Sequence, residues 1–304
     1  MTGFFIKMIA LVTMTVDHIA GVFGWEGWNV LPFNADFLRY IGRVSYPIFA
    51  FCIVSGWKYT HNREKYFSRL ALCAVVSQIP FSLAFYKGNI GAAYSENSLF
   101  GISGLLLPAA LFAIISYWYF GLNRRLSLSL ILVGVAAILP TFMLKIKGVW
   151  ILAPDFLNVL YTFLIGMVLL FLIEKIKEKQ LNIIEYVWLF PLCVMLLLAY
   201  GRHADYGNAL MGVILIAALY FAQKSKILQC SVVVIWGIVF YAVINQNWSN
   251  AIATVFPAML ILLYNGKKGS NSAPAKWIFY IFYPLHLLCI GVISHWVRCF
   301  WIGT

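Results

Sequence analysis

The chain has 304 residues, 63% of them hydrophobic and only 11% charged, with a formal net charge of +12. A soluble domain is about a quarter charged, so this composition excludes an ordinary globular protein and calls for lipid as the solvent. The Lys and Arg residues fall in short loops between apolar runs rather than on one face, which reads as a topology signal and not as a nucleic-acid surface.

A helix crosses the hydrocarbon core in about 20 residues. In chain order the sequence offers eleven candidate spans, at 5–24, 39–57, 67–86, 98–120, 126–144, 153–173, 186–201, 206–222, 227–245, 249–264 and 277–300. The expected fold class is therefore all-α: a polytopic membrane bundle of ten or eleven helices forming a single domain over 1–304. Pro47, Pro108, Pro191, Pro257 and Pro284 fall inside spans and mark expected kinks. The first span holds Asp17 and His18 and lacks a small-x-small cleavage site, so it is expected to remain as a helix. The six cysteines are scattered, with no C-x-x-C pair and no metal-like spacing, and read as packing residues.

Orientation follows from the basic loops. With the N-terminus cytoplasmic, fifteen of the 22 basic residues face the cytoplasm: Lys7, Lys58, Arg63, Lys65, Arg69, Arg124, Arg125, Lys175, Lys177, Lys179, Lys224, Lys226, Lys267, Lys268 and Lys276. The segment from Lys145 to Asp155 is then extracytoplasmic.

Ionisable residues inside a bilayer are costly and mark sites. The first span carries Asp17-His18. Lys7 precedes His18 by eleven residues, so the two share a helix face about 16 Å apart. If Lys7 marks the interface, His18 lies near mid-membrane, where a neutral imidazole can take a proton and the adjacent Asp17 can orient a partner or balance the charge. Arg39 and Arg43 are four apart and share a face suited to an anion, a carbonyl oxygen or Asp17. His61, Arg63, Lys65 and Arg69 form the densest basic loop, attractive to phosphates. Arg202-His203-Ala-Asp205 and Tyr283-Pro-Leu-His286 are the remaining intramembrane candidates. There is no Walker loop, H-E-x-x-H, G-x-S-x-G or dinucleotide fingerprint.

A set of ordered motifs runs from residue 4 to about 290: Lys7 through Asp17-His18, Arg39-x-Ile-Gly-Arg43-x-x-Tyr-Pro-Ile-Phe, Asn62-Arg-x-Lys-Tyr-x-x-Arg69, Ser77-Gln-Ile-Pro-Phe81, Asn158-Val-x-Tyr-Thr162, Asp205-Tyr-Gly207, Leu263-Tyr-Asn-Gly266 and Tyr283-Pro-Leu-His286. Together they resemble the TraX family of membrane acetyltransferases, which looks related to the acyltransferase-3 branch of transmembrane acyltransferases. In that branch a first-helix basic residue precedes a catalytic His by eleven positions. Lys7 here stands where that branch has Arg.

The resemblance implies an inner-membrane enzyme of bacterial type that moves acetyl from cytosolic acetyl-CoA to an amine, of a pilin-like N-terminus or an amino sugar, or to a hydroxyl on the outer side. It implies His18 as general base with Asp17, Arg39 and Arg43 as catalytic partners. Lys7, Arg63, Lys65 and Arg69 would hold the nucleotide phosphates, and His286, Asp205, Tyr283 and Asn158 would contact the acceptor, with no metal. A second reading from the same residues is a proton-coupled transporter that relays protons through Asp17, His18, Asp205 and His286.

Overall fold

The computed structural model describes residues 1–24, 35–85, 144–146, 149–152, 157–178, 209–270 and 272–297. With no water to satisfy a backbone in hydrocarbon, a chain of this composition must close its hydrogen bonds within helices. It does so in α1 (Gly3–Phe23), α2 (Ala35–Gly42), α3 (Ser45–Tyr59), α4 (Arg63–Phe85), α5 (Val159–Lys177), α6 (Ala209–Phe221), α7 (Lys226–Gly237), α8 (Trp248–Ala253), α9 (Val255–Leu262) and α10 (Ala273–Val297). Helix α7 runs on directly into a π-helical turn over Ile238–Ile244.

Eight of the eleven expected spans fall on described helices, while 98–120, 126–144 and 186–201 lie outside the described residues. Among the described residues, five stretches are long and apolar enough to cross a membrane: Gly3–Phe23, Ala35–Tyr59, Arg63–Phe85, Lys226–Ile244 and Trp277–Val297. Among the described residues, a short antiparallel pair departs from the helical pattern, β1 (Leu144–Ile146) with β2 (Val149–Leu152), in register Ile146 opposite Val149. Its β-branched and aromatic residues favour a pleated strand over a helix end.

Local polar residues finish the helices. Thr2 Oγ1 accepts from Phe5 N at the start of α1, Asn158 Oδ1 from Leu160 N at α5, and Ser225 Oγ from Leu228 N at α7. Inside α1, Thr13 and Thr15 return their hydroxyls to the Ile9 and Leu11 carbonyls, which hides both donors within the helix. Two prolines expected as kinks occupy helix first turns instead: Pro47 follows the break at Arg43–Val44, and Pro257 follows the break at Thr254. The first turn is where a missing N–H costs nothing. Pro284 and Pro80 are inside their helices.

The chain divides into two compact units, Met1–Tyr59 with Ile214–Thr304, and Thr60–Val213. In the first, α1 packs on α2, α3 and α10, and α9 packs on α3 and α7. Its core joins Ile6 and Ala10 of α1 with Val44, Ile48 and Leu260. Lipid tails are as apolar as leucine, so close approach through small residues does the work that burial does in water. Gly237 lies against Thr254, and Gly42 lies directly on the side chain of Asp17. A Cβ on Gly42 has no space. Gly42→Val is expected to lower the stability of the detergent-solubilised protein by about 1–3 kcal/mol, the usual cost of overpacking, as a drop in thermal midpoint.

A strap over Leu263–Gly269 wraps the start of α1. Gly3 N donates to Lys267 O at 2.8 Å, Phe4 N to Lys268 O at 3.0 Å, and Asn265 N to Met1 O at 2.9 Å. Gly266 and Gly269 turn the strap with positive φ, 77° and 84°. The Lys226 ammonium donates to the Tyr264 carbonyl, and the Tyr264 ring meets Phe51 of α3 edge-on at 5.5 Å. Helix starts at Gly3, Lys226 and Ala273 thus share one end of this unit with the α3 and α9 termini, and Lys7, Lys58, Lys224, Lys226, Lys267 and Lys268 gather there.

In the second unit α4 and α5 run antiparallel. Both guanidinium nitrogens of Arg63 reach the Glu174 carboxylate, and a turn-rich polar tie forms at the far end. There Asn158 Nδ2 donates to Ala74 O at 2.9 Å and Gln78 Oε1 at 3.0 Å, and its own N–H also reaches Gln78 Oε1 at 3.1 Å.

Candidate active site

Helix α1 carries His18 fifteen residues past Gly3, about 22 Å along the axis from the strapped end. Helix α10 leaves the same end and brings His286 to it. His18 Nδ1 and His286 Nε2 are 2.8 Å apart, and the two rings are parallel within 5° at a centroid distance of 5.1 Å. His286 Nδ1 in turn lies 2.8 Å from the Phe282 carbonyl, one turn back on α10. The Phe282 ring stacks on His286 at 5.0 Å, and Tyr283 presents its edge to both imidazoles, at 6.3 Å from His18 and 5.5 Å from His286. Both His286 and Tyr283 are buried.

One residue back on α1, Asp17 points toward α2. Arg39 Nη1 donates to Asp17 Oδ2 at 2.9 Å and to its backbone carbonyl at 3.3 Å. Asp17 Oδ1 is buried with no hydrogen-bond donor among the described residues. The carboxylate therefore charge-balances Arg39, and the orientation of His18 comes from His286.

The shared Arg39–Arg43 face is broken by the chain itself. Helix α2 ends at Gly42, Ser45 Oγ caps back onto the Gly42 carbonyl at 2.8 Å, and Arg43 sits in the intervening turn. Its guanidinium lies over the ring of Tyr241, 5.6 Å from the centroid, in the π-helical turn after α7. A π-turn re-aims side chains by about 100° relative to an α-helix and recurs at functional sites. Here it packs Phe240 and Tyr241 around Trp236, whose other side stacks on Tyr46 at 6.0 Å. This aromatic support for Arg43 had no signal in the sequence beyond a run of large residues.

The expected phosphate ligands belong to different units. Lys7 belongs to the first unit, with its ammonium 5.3 Å from the Phe279 ring centroid. Arg63 is tied to Glu174, while Lys65 and Arg69, four apart on α4, are exposed. Asn158 is fully buried, and both its amide donors and its carbonyl oxygen bond within the protein, so the structure gives it the work of a helix cap and cross-helix tie. Asp205 and Arg202-His203 lie outside the described residues. Among the described residues no three His, Cys, Asp or Glu side chains converge as a metal site.

The family model for TraX protein matches residues 3–154 and 115–294, two overlapping stretches that together cover nearly the whole chain. The chain belongs to the TraX family. His18, Asp17, Arg39, Arg43 and His286 all lie within the stretches of this TraX protein that the family model matches. Across 95% of its length and 94% of the other protein's, the chain is also 24% identical to a protein of Dichelobacter nodosus described as a probable fimbrial assembly protein FimC, serogroup H1. No solved structure matches it.

Proposed function

We propose that this TraX protein is a multi-pass acetyltransferase of the bacterial inner membrane, using cytosolic acetyl-CoA and His18 as general base. The observation that carries the reading is a histidine held by a second histidine, each on a helix long and apolar enough to cross a membrane, beside a paired Asp17–Arg39. An imidazole so held takes the proton from the acceptor amine or hydroxyl as the acceptor attacks the acetyl carbonyl carbon. The thioester C–S bond then breaks, and the His18 proton passes to the leaving thiolate to give CoA thiol. Arg43 or Arg39 stabilises the oxygen that becomes negative on the way. Lys65 and Arg69, exposed and four apart on α4, hold the nucleotide phosphates. The relation to acyltransferase-3 enzymes belongs to the same proposal.

The likeness to a fimbrial assembly protein favours a pilin-like N-terminal amine as acceptor over an amino sugar or a hydroxyl. Opposite sides for the two ends of the chain, as N-in and C-out requires, agree with helix direction. Phe4 and Lys7 of α1 meet Phe279 of α10, and His18 further along α1 meets His286 further along α10, so the two helices run parallel. First and last spans that run the same way require an odd number of crossings, which favours eleven over ten.

Calorimetry with purified protein and CoA separates this reading from the transporter, which has no use for CoA. Lys65→Ala with Arg69→Ala is expected to weaken binding by about 1.5–3 kcal/mol at low salt, and the difference from wild type should narrow as salt rises and screens the lost charges. Undiminished affinity in the double variant moves the nucleotide site elsewhere, and no binding by the wild type removes the acetyl-CoA reading altogether.

A further inference from the structure

A backbone carbonyl has no hydrogen to give, so in the 2.8 Å contact between His286 Nδ1 and the Phe282 oxygen the proton is on Nδ1. A neutral imidazole has one N–H, which leaves the lone pair of His286 on Nε2, the atom facing His18. That atom can only accept, so the 2.8 Å contact is filled by His18 Nδ1–H, and the lone pair of His18 is on its Nε2. We propose that His286 is a positioning residue that fixes the tautomer of His18, making Nε2 its basic nitrogen, through the relay from the Phe282 carbonyl. The inference rests on His18 being the base and says which atom does the work.

The relay keeps its hydrogen bonds through the reaction. When Nε2 of His18 takes a proton, Nδ1–H still donates to His286 Nε2, and Nδ1–H of His286 still donates to Phe282. The imidazolium forms without any ring turning, which is the benefit of preorganisation. A protonated His286 reverses this: its Nε2–H would donate to His18 Nδ1, force the His18 proton onto Nε2 and abolish the base. One charge at most resides on the pair. Elsewhere an aspartate performs this orienting task. Here Asp17 is held by Arg39, and a neutral ring on a different helix takes its place. Tyr283 and Phe282, packed on the same rings, restrict their rotation.

Three full-length proteins in nanodiscs test this: wild type, His286→Gln, whose side-chain oxygen can accept near the position of Nε2, and His286→Leu, which cannot accept. Nitrogen NMR of histidine-labelled protein, with His18 assigned by its loss in His18→Asn, reads the tautomer without reference to any reaction. The expected result is a His18 ring protonated at Nδ1 in the wild type and in His286→Gln. In His286→Leu a mixture is expected. A wild-type His18 protonated at Nε2, or an unchanged tautomer in folded His286→Leu, overturns the proposal.

In the acetyl-transfer assay His286→Leu should lose about 100-fold or more in kcat at unchanged KM for acetyl-CoA, with His286→Gln recovering at least a tenth of wild-type kcat. Equal loss in both variants assigns His286 to packing and sinks the idea, and so does a folded His286→Leu with full kcat. If His18→Asn still transfers acetyl, it is the general-base reading that fails. If His286→Leu does not fold, the wild-type tautomer and the His286→Gln turnover decide.

Discussion

His18→Asn should bind acetyl-CoA with nearly wild-type affinity and transfer acetyl about 10²–10⁴-fold more slowly. A general base acts on the acceptor as its proton departs, so its contribution appears in the transition state and not in donor binding. Asn is chosen because its amide can still donate toward His286 Nε2, which preserves the contact between α1 and α10 and so the fold. His18→Ala would remove that contact as well and mix two effects. The measurement is single-turnover acetyl transfer beside calorimetry on the same preparation. Near wild-type turnover in a well-folded His18→Asn protein makes His18 structural and ends the mechanism.

Arg39→Leu is expected to cost about 3 kcal/mol of stability. The carboxylate of Asp17 is only 17% exposed, and the substitution removes its ion-pair partner while its Oδ1 already lacks a donor among the described residues. The figure is set at the low end for a broken buried pair because the Arg39 side chain is 35% exposed and so partly screened. Asp17→Asn combined with Arg39→Leu should recover most of the loss, since the carboxylate that lost its ion pair is gone as well. Thermal unfolding of the two single variants and the double closes a cycle. If the double variant loses as much as the sum of the singles, the pair is not coupled and Arg39 acts by some other contact.

What the sequence made legible was whatever depends on one helix at a time. The Lys7–His18 spacing, the apolar lengths of five spans and the segregation of lysines at one end of the first unit follow from rise per residue and the cost of charge in lipid. The contacts between helices were not legible, because helices apolar all round have no polar face to show which side meets a neighbour. Asp17 was read as the partner of His18, its chain neighbour, whereas the partner stands 268 residues away. Arg39 and Arg43 were placed on one face by counting four, and the count failed because Gly42 ends the helix to let Asp17 approach. Asn158 carried a readable signal that was passed over: an Asn directly before a long apolar run is a helix start.

The strap at the beginning of α1 gives the site a common origin. Helices α1 and α10 leave one fastened point as two stiff rods, and the distance each travels before its histidine appears is fixed by residue count alone. A single residue added or lost between Phe4 and His18 would swing the imidazole by about 100° and raise or lower it by about 1.5 Å, away from His286. The chain between Phe4 and His18 thus acts as a ruler. A change in its length moves the base even where every side chain is kept.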